Sequence, residues 1–206
     1  MSDIIYTVED RLYINLTNRC TNRCSFCIKF LQRHFQNRYN LFLGKEPTVE
    51  EVLAQVPDTE LYSEIVFCGY GEPLLRLDAV KEIARSLKED DANVRVDTDG
   101  LANLFYKRNV LSELQGLVDS INVSLNAPDA KTYEQLCRPS LGPNPFDAVL
   151  SFIREAKNWI PKVTASVVDL PKLDLEGCRI KAKELGVPLV IRPFYSDTYV
   201  EKRAPA

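Results

Sequence analysis

Short apolar runs alternate with helix-like stretches along most of the chain, and this alternation limits the possible folds more than any other feature. The apolar runs are rich in β-branched residues and end at turn residues, which predicts strands. The predicted strands cover residues 11–17, 64–69, 93–100, 120–126, 162–168 and 188–194. The predicted helices cover residues 28–39, 47–56, 77–90, 104–116, 129–137, 146–160 and 174–186. This order predicts a parallel α/β sheet, either open and doubly wound or curved into an incomplete barrel.

The length and charge of the chain limit the classes of protein to which it can belong. A chain of 206 residues can form one sizeable hydrophobic core and does not require a second, so we expect a single domain over residues 1–206 with a flexible tail at 196–206. Lys and Arg number 26 against 29 Asp and Glu, a net charge of −3 that argues against a dedicated nucleic-acid-binding module. The apolar runs are too short to span a bilayer, and the start shows no secretory signal pattern. We therefore expect a cytoplasmic protein with no membrane partner.

Three of the six cysteines lie within the segment CTNRCSFC, as Cys20, Cys24 and Cys27. In a reducing cytosol such a cluster indicates metal binding or reactivity rather than disulfides. Structural zinc is usually four-coordinate, and the only histidine, His34, would have to supply the fourth ligand. An iron–sulfur cluster fits better because thiolates are its ordinary ligands, and three of them leave one iron open. A non-catalytic zinc- or iron-binding module with a structural or regulatory role remains the alternative.

Further polar segments follow the later predicted strands. They are CGYGEP at 68–73, DTDG at 97–100, SLN at 124–126 and RPF at 192–194. In parallel α/β folds, ligands bind at the carboxyl ends of the strands. The sequence therefore predicts that these segments and the cysteines form one active site.

The cysteine motif at the end of a first strand resembles the signature of the radical SAM superfamily, in which an aromatic residue such as Phe26 precedes the last cysteine. The resemblance implies a (βα)6 partial TIM barrel and a [4Fe–4S] cluster held by Cys20, Cys24 and Cys27. S-adenosylmethionine (SAM) would bind the fourth iron. The enzyme would cleave SAM reductively to methionine and a 5′-deoxyadenosyl radical, which abstracts a hydrogen atom from a substrate.

The segment CGYGEP resembles the GGEP motif of this superfamily, which receives the methionine amino group of SAM. Glycines such as Gly69 and Gly71 let the backbone approach a ligand closely. Glu72 supplies a carboxylate for the ammonium group, and Tyr70 stands where the family more often has glycine.

The segment VDTDGLAN resembles the DTNG stretch of glycyl-radical-enzyme activases, which belong to the same superfamily. The resemblance implies that polar residues on the third, fourth and sixth predicted strands bind SAM or a nearby ion. These residues are Asp97, Thr98, Asp99, Ser124, Asn126 and Arg192.

The length and the C-terminal RPFY are most similar to small radical SAM proteins associated with TatD-family nucleases. The resemblance implies an electron donor such as flavodoxin or ferredoxin. The substrate stays open between a macromolecule (a protein or a nucleic acid), as in activases, and a small molecule, as in enzymes of the 7-carboxy-7-deazaguanine synthase type. We interpret Cys68, Cys137 and Cys178 as packing residues and His34 as a surface helix residue.

Overall fold

Seven strands form one sheet in the computed structural model, which describes residues 2–31, 34–36 and 38–195. The strands are β1 (Ile5–Val8), β2 (Arg11–Ile14), β3 (Glu64–Phe67), β4 (Val94–Thr98), β5 (Ser120–Ser124), β6 (Lys162–Val168) and β7 (Leu189–Arg192). They lie side by side in chain order, with β2 to β7 parallel and β1 antiparallel to β2. The sheet curls into a half-barrel, which confirms the predicted partial barrel.

Helices connect the strands. They are α1 (Ile28–Leu31), α2 (Val49–Leu53), α3 (Leu77–Glu89), α4 (Ala102–Tyr106), α5 (Ala130–Cys137), α6 (Pro145–Ala156) and α7 (Leu175–Leu185). The predicted capping box starts α2, because the Glu51 amide donates to Thr48 and the Thr48 amide donates to Glu51. Asp129 and Asp174 cap α5 and α7 in the same general way, by accepting from amides in the first turn.

One face of the sheet packs against the helices and the other face is more polar, as the residues of β4 show. Val94, Val96 and Thr98 are buried on the side that carries the helices, whereas Arg95 and Asp97 lie on the opposite, concave side. The main core, which includes Leu12, Phe67 and Phe152, fills the space between sheet and helices. Hydrophobic burial therefore holds the barrel from outside and leaves its concave side free for polar groups.

The region after the cysteines differs from the prediction. The helix predicted over residues 28–39 ends at Leu31, and His34 lies in a bend instead of a helix. Phe35 and Tyr39 form an isolated antiparallel bridge, and both rings contact the ring of Tyr6. This aromatic packing onto β1 outweighs the helical periodicity of the segment.

Other boundaries also shift. The predicted first strand ends at Ile14, and β1 precedes it as a hairpin partner that the sequence analysis did not predict. The helix predicted over 104–116 is the short α4 followed by a 3₁₀ segment, Leu111–Glu113. The predicted flexible tail at 196–206 lies outside the described residues.

Candidate cofactor site

A cavity of about 360 Å³ opens at the carboxyl ends of the strands. Every residue that the sequence analysis assigns to the cluster or to SAM lines it. These residues are Cys20, Cys24, Phe26, Cys27, Gly69, Tyr70, Gly71, Glu72, Asp97, Thr98, Asp99, Ser124, Asn126 and Arg192. The structure thus brings together five segments that are far apart in the sequence.

The cysteine loop is held by backbone hydrogen bonds to a distant helix. The amides of Arg23 and Ser25 donate to the carbonyls of Cys137 and Leu136, at 2.9 Å and 2.8 Å. The amide of Ser140 donates to the Thr21 carbonyl at 2.8 Å. These bonds fix the loop on both sides of Cys24, so its shape is set by the protein.

The three cysteine thiols are half-buried around the cavity. Burial raises the pKa of Cys20 and of Cys27, and the carboxylates of Asp99 and Glu72 raise that of Cys20 further. A hydrogen bond with Cys137, followed by burial, raises the pKa of Cys24. Burial and these carboxylates disfavour the thiolate forms, so a cationic metal centre would stabilise them by pairing with the negative sulfurs. Within the described ranges, no three His, Cys, Asp or Glu side chains are grouped so as to hold a single metal ion.

The GYGEP turn packs directly against the segment that enters the cysteine loop. A Cβ atom on Gly71 would overlap the backbone carbonyls of Thr17 and Arg19, and one on Gly69 would overlap the side chain of Asn15. Packing against the backbone thus requires Gly71, and packing against the Asn15 side chain favours Gly69, irrespective of any ligand. The Tyr70 side chain is buried in a small cluster with Tyr6, Tyr39 and Leu41.

Glu72 connects the GYGEP turn to the DTDG turn. Its carboxylate is 3% exposed and accepts hydrogen bonds from the hydroxyl of Thr98 at 2.8 Å and from the amides of Leu74 at 3.0 Å and Asp99 at 2.6 Å. Burial and the nearby Asp99 charge raise the pKa of Glu72 well above its ordinary value. A carboxylate has about four acceptor positions, so Glu72 retains one for a further donor.

Asp99 connects the same turn to the cysteine loop. Its carboxylate accepts hydrogen bonds from the Thr21 hydroxyl, from the Leu101 amide at 3.0 Å and from the Cys20 thiol at 3.9 Å. Burial raises the pKa of Asp99. Two buried carboxyl groups side by side favour a cationic ligand group, such as an ammonium.

The residues at the ends of β5 and β7 leave several buried polar atoms without a partner. Arg192 donates from Nη2 to Ser124 Oγ at 3.1 Å. Within the described part of the chain, Arg192 Nε, Asn126 Oδ1 and Asn22 Oδ1 have no hydrogen-bond partner although they are buried. Buried polar groups are normally paired, so these atoms suit a polar ligand in the cavity.

Asp97 belongs to a different environment from Asp99. It lies on the concave face of β4, where Arg95 Nε is 3.0 Å from its Oδ1, and Arg95 also pairs with Glu64 at 2.5 Å. The resemblance places Asp97, Thr98 and Asp99 together near SAM or an ion, whereas the structure directs Asp97 toward the barrel interior and Thr98 toward Glu72.

Other residues that line the cavity were not predicted to bind the cluster or SAM. They are Tyr6, Val8, Tyr13, Ile28, Phe35, Leu41, Val168, Pro193, Phe194 and Tyr195, together with Asn22 beside the cysteines. Phe35, which packs on Tyr6 of β1, also contacts Tyr195 with ring centroids 6.0 Å apart. Because β1 and β7 are the two ends of the sheet, this contact joins segments attached to both edges of the half-barrel. Tyr6, Tyr13 and Phe35 belong to no local motif, so no sequence signal could have identified them, whereas Phe194 and Tyr195 belong to the RPFY segment.

The three remaining cysteines lie in three settings. Cys68 is half-buried and lines the cavity near Asp97. Cys137 is fully buried beside the cysteine loop. Cys178 is fully buried on α7 and does not line the cavity. In the described part of the chain, no helix has the length and apolar character needed to cross a membrane.

Comparisons with known proteins place these features in a wider context. The sequence profile of the radical SAM superfamily matches residues 14–178. The GTP 3′,8-cyclase of Campylobacter jejuni subsp. doylei is 29% identical over 173 residues, which cover 79% of this chain and 48% of the cyclase. A Chlorobaculum tepidum protein named as a dual-specificity RNA methyltransferase RlmN is 28% identical over 186 residues, 86% of this chain and 47% of that protein. The chain spans about half the length of these curated relatives.

Two further comparisons bear on a finer resemblance and on the fold. A Methanocaldococcus jannaschii protein named as a glycyl-radical enzyme activating enzyme is 34% identical over 83 residues, 39% of this chain and 30% of that protein. The crystal structure of Streptococcus suis SuiB superimposes with a TM-score of 0.60 at 14% identity, over 88% of this chain and 39% of SuiB. At this identity the likeness concerns the fold alone, and it agrees with the half-barrel.

Proposed function

Because the chain belongs to the radical SAM superfamily, whose members use a [4Fe–4S] cluster and SAM, we propose that it cleaves SAM reductively. Cys20, Cys24 and Cys27 would hold the cluster. The cluster would supply the electron for reductive cleavage of SAM into methionine and a 5′-deoxyadenosyl radical, which would take a hydrogen atom from the substrate. A flavodoxin or ferredoxin would supply the electron. We propose that one domain, residues 1–206, carries this function.

The single observation that carries the proposal is the shared cavity. The three thiols lie on one wall, and the buried Glu72 and Asp99 lie beside them, bonded to the same loop through Thr21 and Cys20. The site would stabilise a cationic cluster and an ammonium group, because buried carboxyl groups and thiols favour positive neighbours.

The other residues predicted to bind SAM have roles that follow from their positions. The remaining acceptor position of Glu72 would accept a hydrogen bond from the methionine ammonium. Asn126 and Arg192 offer an unpaired oxygen and an unpaired N–H group, and Ser124 orients Arg192. These groups would bind the ribose and carboxylate of SAM. Phe26 would shield the cluster on the cavity side.

The aromatic half of the cavity supports a nucleobase-bearing substrate as the class to test first. Tyr13 stacks on Tyr6 with ring centroids 5.0 Å apart, and the contact of Phe35 with Tyr195 narrows the opening between the sheet edges. Aromatic side chains bind bases by stacking, independently of sequence. One relative is named as a GTP cyclase and another as an RNA methyltransferase, whereas the relative named as an activating enzyme supports a protein substrate.

Anaerobic reconstitution with iron and sulfide, followed by dithionite and SAM, tests the reaction. We expect 5′-deoxyadenosine from the wild-type protein and none from Cys24→Ala. The variant Cys178→Ala is the matched control, because Cys178 is buried but lies away from the cavity. A four-iron protein that yields no 5′-deoxyadenosine contradicts the proposal, and one zinc per chain without iron uptake favours the structural module.

The same assay distinguishes the substrate classes. It is repeated with GTP, with an RNA oligonucleotide and with a glycine-containing peptide. We expect a nucleotide probe to raise 5′-deoxyadenosine production above the rate without substrate. Stimulation by the peptide alone would contradict the nucleobase hypothesis and favour an activase.

A further inference from the structure

The cysteine loop has two faces with different neighbours. Cys20, Cys24 and Cys27 line the cavity. Arg23 and Ser25, which flank Cys24, are exposed and do not line it; we call their side of the loop the outer face. Because SAM and the substrate would occupy the cavity, the outer face is the side from which another protein can come close to Cys24 while they are bound.

Backbone hydrogen bonds bring Arg138 to the outer face. The Arg23 amide donates to the carbonyl of Cys137 at 2.9 Å, and the Ser25 amide donates to the carbonyl of Leu136 at 2.8 Å. Arg138 follows Cys137 directly, has a left-handed conformation (φ 48°) and is exposed. The backbones of two arginines from distant parts of the sequence are thus adjacent.

The side chains of Arg23 and Arg138 carry charge that no acidic group compensates. In the part of the chain that the structure describes, neither guanidinium makes an ion pair, a hydrogen bond or a ring contact. On α5, the exposed Lys131 and Glu134 have opposite charges, so the two arginines determine the sign of this face. The outer face is therefore positive, although the whole chain has a net charge of −3.

We infer that the outer face, formed by Arg23, Ser25 and Arg138, is the docking surface for an acidic one-electron carrier protein. The inference rests on the proposed function, which requires a donor such as flavodoxin or ferredoxin. A chain of net charge −3 repels an acidic carrier at long range and attracts it where positive charge is concentrated. Electron-transfer complexes are small and transient, so two unpaired arginines around a short loop suffice to direct one.

A nucleic acid is also negatively charged, but the position of the outer face favours the carrier protein. Neither Arg23 nor Arg138 lines the cavity that would receive a base, so phosphates bound here would not place a nucleotide for reaction. An electron that arrives at this face needs only to cross the loop, because Arg23 and Ser25 are the covalent neighbours of Cys24.

The test measures the association rate of a purified flavodoxin, and then of a purified ferredoxin, with the reconstituted protein by biolayer interferometry. We expect Arg23→Glu/Arg138→Glu to bind at least about tenfold more slowly than the wild type at about 0.1 M salt, and to lose most of the salt dependence. The variant Arg23→Lys/Arg138→Lys keeps both charges and should stay close to the wild type.

The matched control is Arg85→Glu/Arg154→Glu, which changes the net charge by the same amount. Arg85 on α3 and Arg154 on α6 are exposed, and among the described residues their side chains also have no partner. Both lie in the later halves of helices that lead back toward the amino ends of the strands, away from the cysteine loop. We expect this variant to bind within about twofold of the wild type, because salt screens charges at that distance.

Reduction by dithionite separates this inference from the proposed function. Dithionite is a small reductant that needs no docking surface, so both glutamate variants should yield 5′-deoxyadenosine with it as the wild type does. A wild-type protein that yields none overturns the proposed function and the inference together.

The binding data decide the inference by itself. Equal association rates in Arg23→Glu/Arg138→Glu and in the control overturn it while SAM cleavage with dithionite stands, and so does a wild-type protein that binds neither carrier. If the variant binds the carriers normally but loses affinity for an RNA oligonucleotide, the outer face is a nucleic-acid surface and the inference is likewise overturned.

Discussion

Replacing Gly71 by alanine is expected to destabilise the fold before any ligand is considered. The added Cβ would overlap the carbonyl oxygens of Thr17 and Arg19, which are backbone atoms and cannot rotate away. The Arg19 carbonyl also accepts a hydrogen bond from the amide of Glu72 at 2.8 Å. A Cβ that pushes this carbonyl away from the GYGEP turn would weaken the bond. Overpacking costs about 1–3 kcal/mol and the lost hydrogen bond about 1 kcal/mol, a sum of about 2–4 kcal/mol.

Thermal unfolding of the metal-free protein, followed by circular dichroism, measures this effect. In a domain of this size each kcal/mol lowers Tm by about 2–4 °C, so we expect a decrease of roughly 4–16 °C. Gly44→Ala is the matched control, because a Cβ at Gly44 meets no atom within 4 Å. If Gly71→Ala is as stable as Gly44→Ala but binds SAM more weakly, the packing explanation is refuted and close approach to the ligand explains the glycine.

Three further predictions concern other parts of the chain. Thr48→Ala removes the acceptor of the Glu51 amide and should lower the free energy of unfolding by about 1 kcal/mol; an unchanged urea midpoint would contradict the capping box. Burial raises the pKa of Cys68 to about 12, which lowers its thiolate fraction, so iodoacetamide at pH 8 should label it about 10³-fold more slowly than a free cysteine. Mass spectrometry measures this rate, which should increase with pH; fast labelling at pH 8 would contradict it. Glu72→Gln places an amide beside the Asp99 N–H group and should weaken SAM binding to the reconstituted protein at least about tenfold; equal affinity in Glu72→Gln and the exposed control Glu89→Gln would count against a role of Glu72 in binding.

The sheet and the cavity lining could be predicted because they depend on local signals. Apolar runs such as residues 64–69 identify parallel strands without knowledge of their neighbours. Once the strands are parallel, their carboxyl ends must meet. The cysteines, the GYGEP turn and the DTDG turn therefore had to face one site.

The features that were missed depend on contacts between distant residues. Strand β1 has four residues and turns at Glu9, which has a positive φ of 55° without the usual glycine. The segment after Leu31 has helical periodicity, yet the rings of Phe35 and Tyr39 pack on Tyr6. Likewise, nothing near Cys137 in the sequence indicates that its carbonyl accepts a hydrogen bond from the cysteine loop. Tertiary packing decided each case, and a local pattern contains no information about it.

The anchoring of the cysteine loop has a consequence for biogenesis. The carbonyls of Leu136 and Cys137 and the amide of Ser140 hold the loop in shape. These residues are synthesised more than a hundred residues after Cys27. A nascent chain that has emerged only as far as the three cysteines has nothing to hold them in place. We therefore expect iron and sulfide to be inserted after translation, into a chain that has already folded.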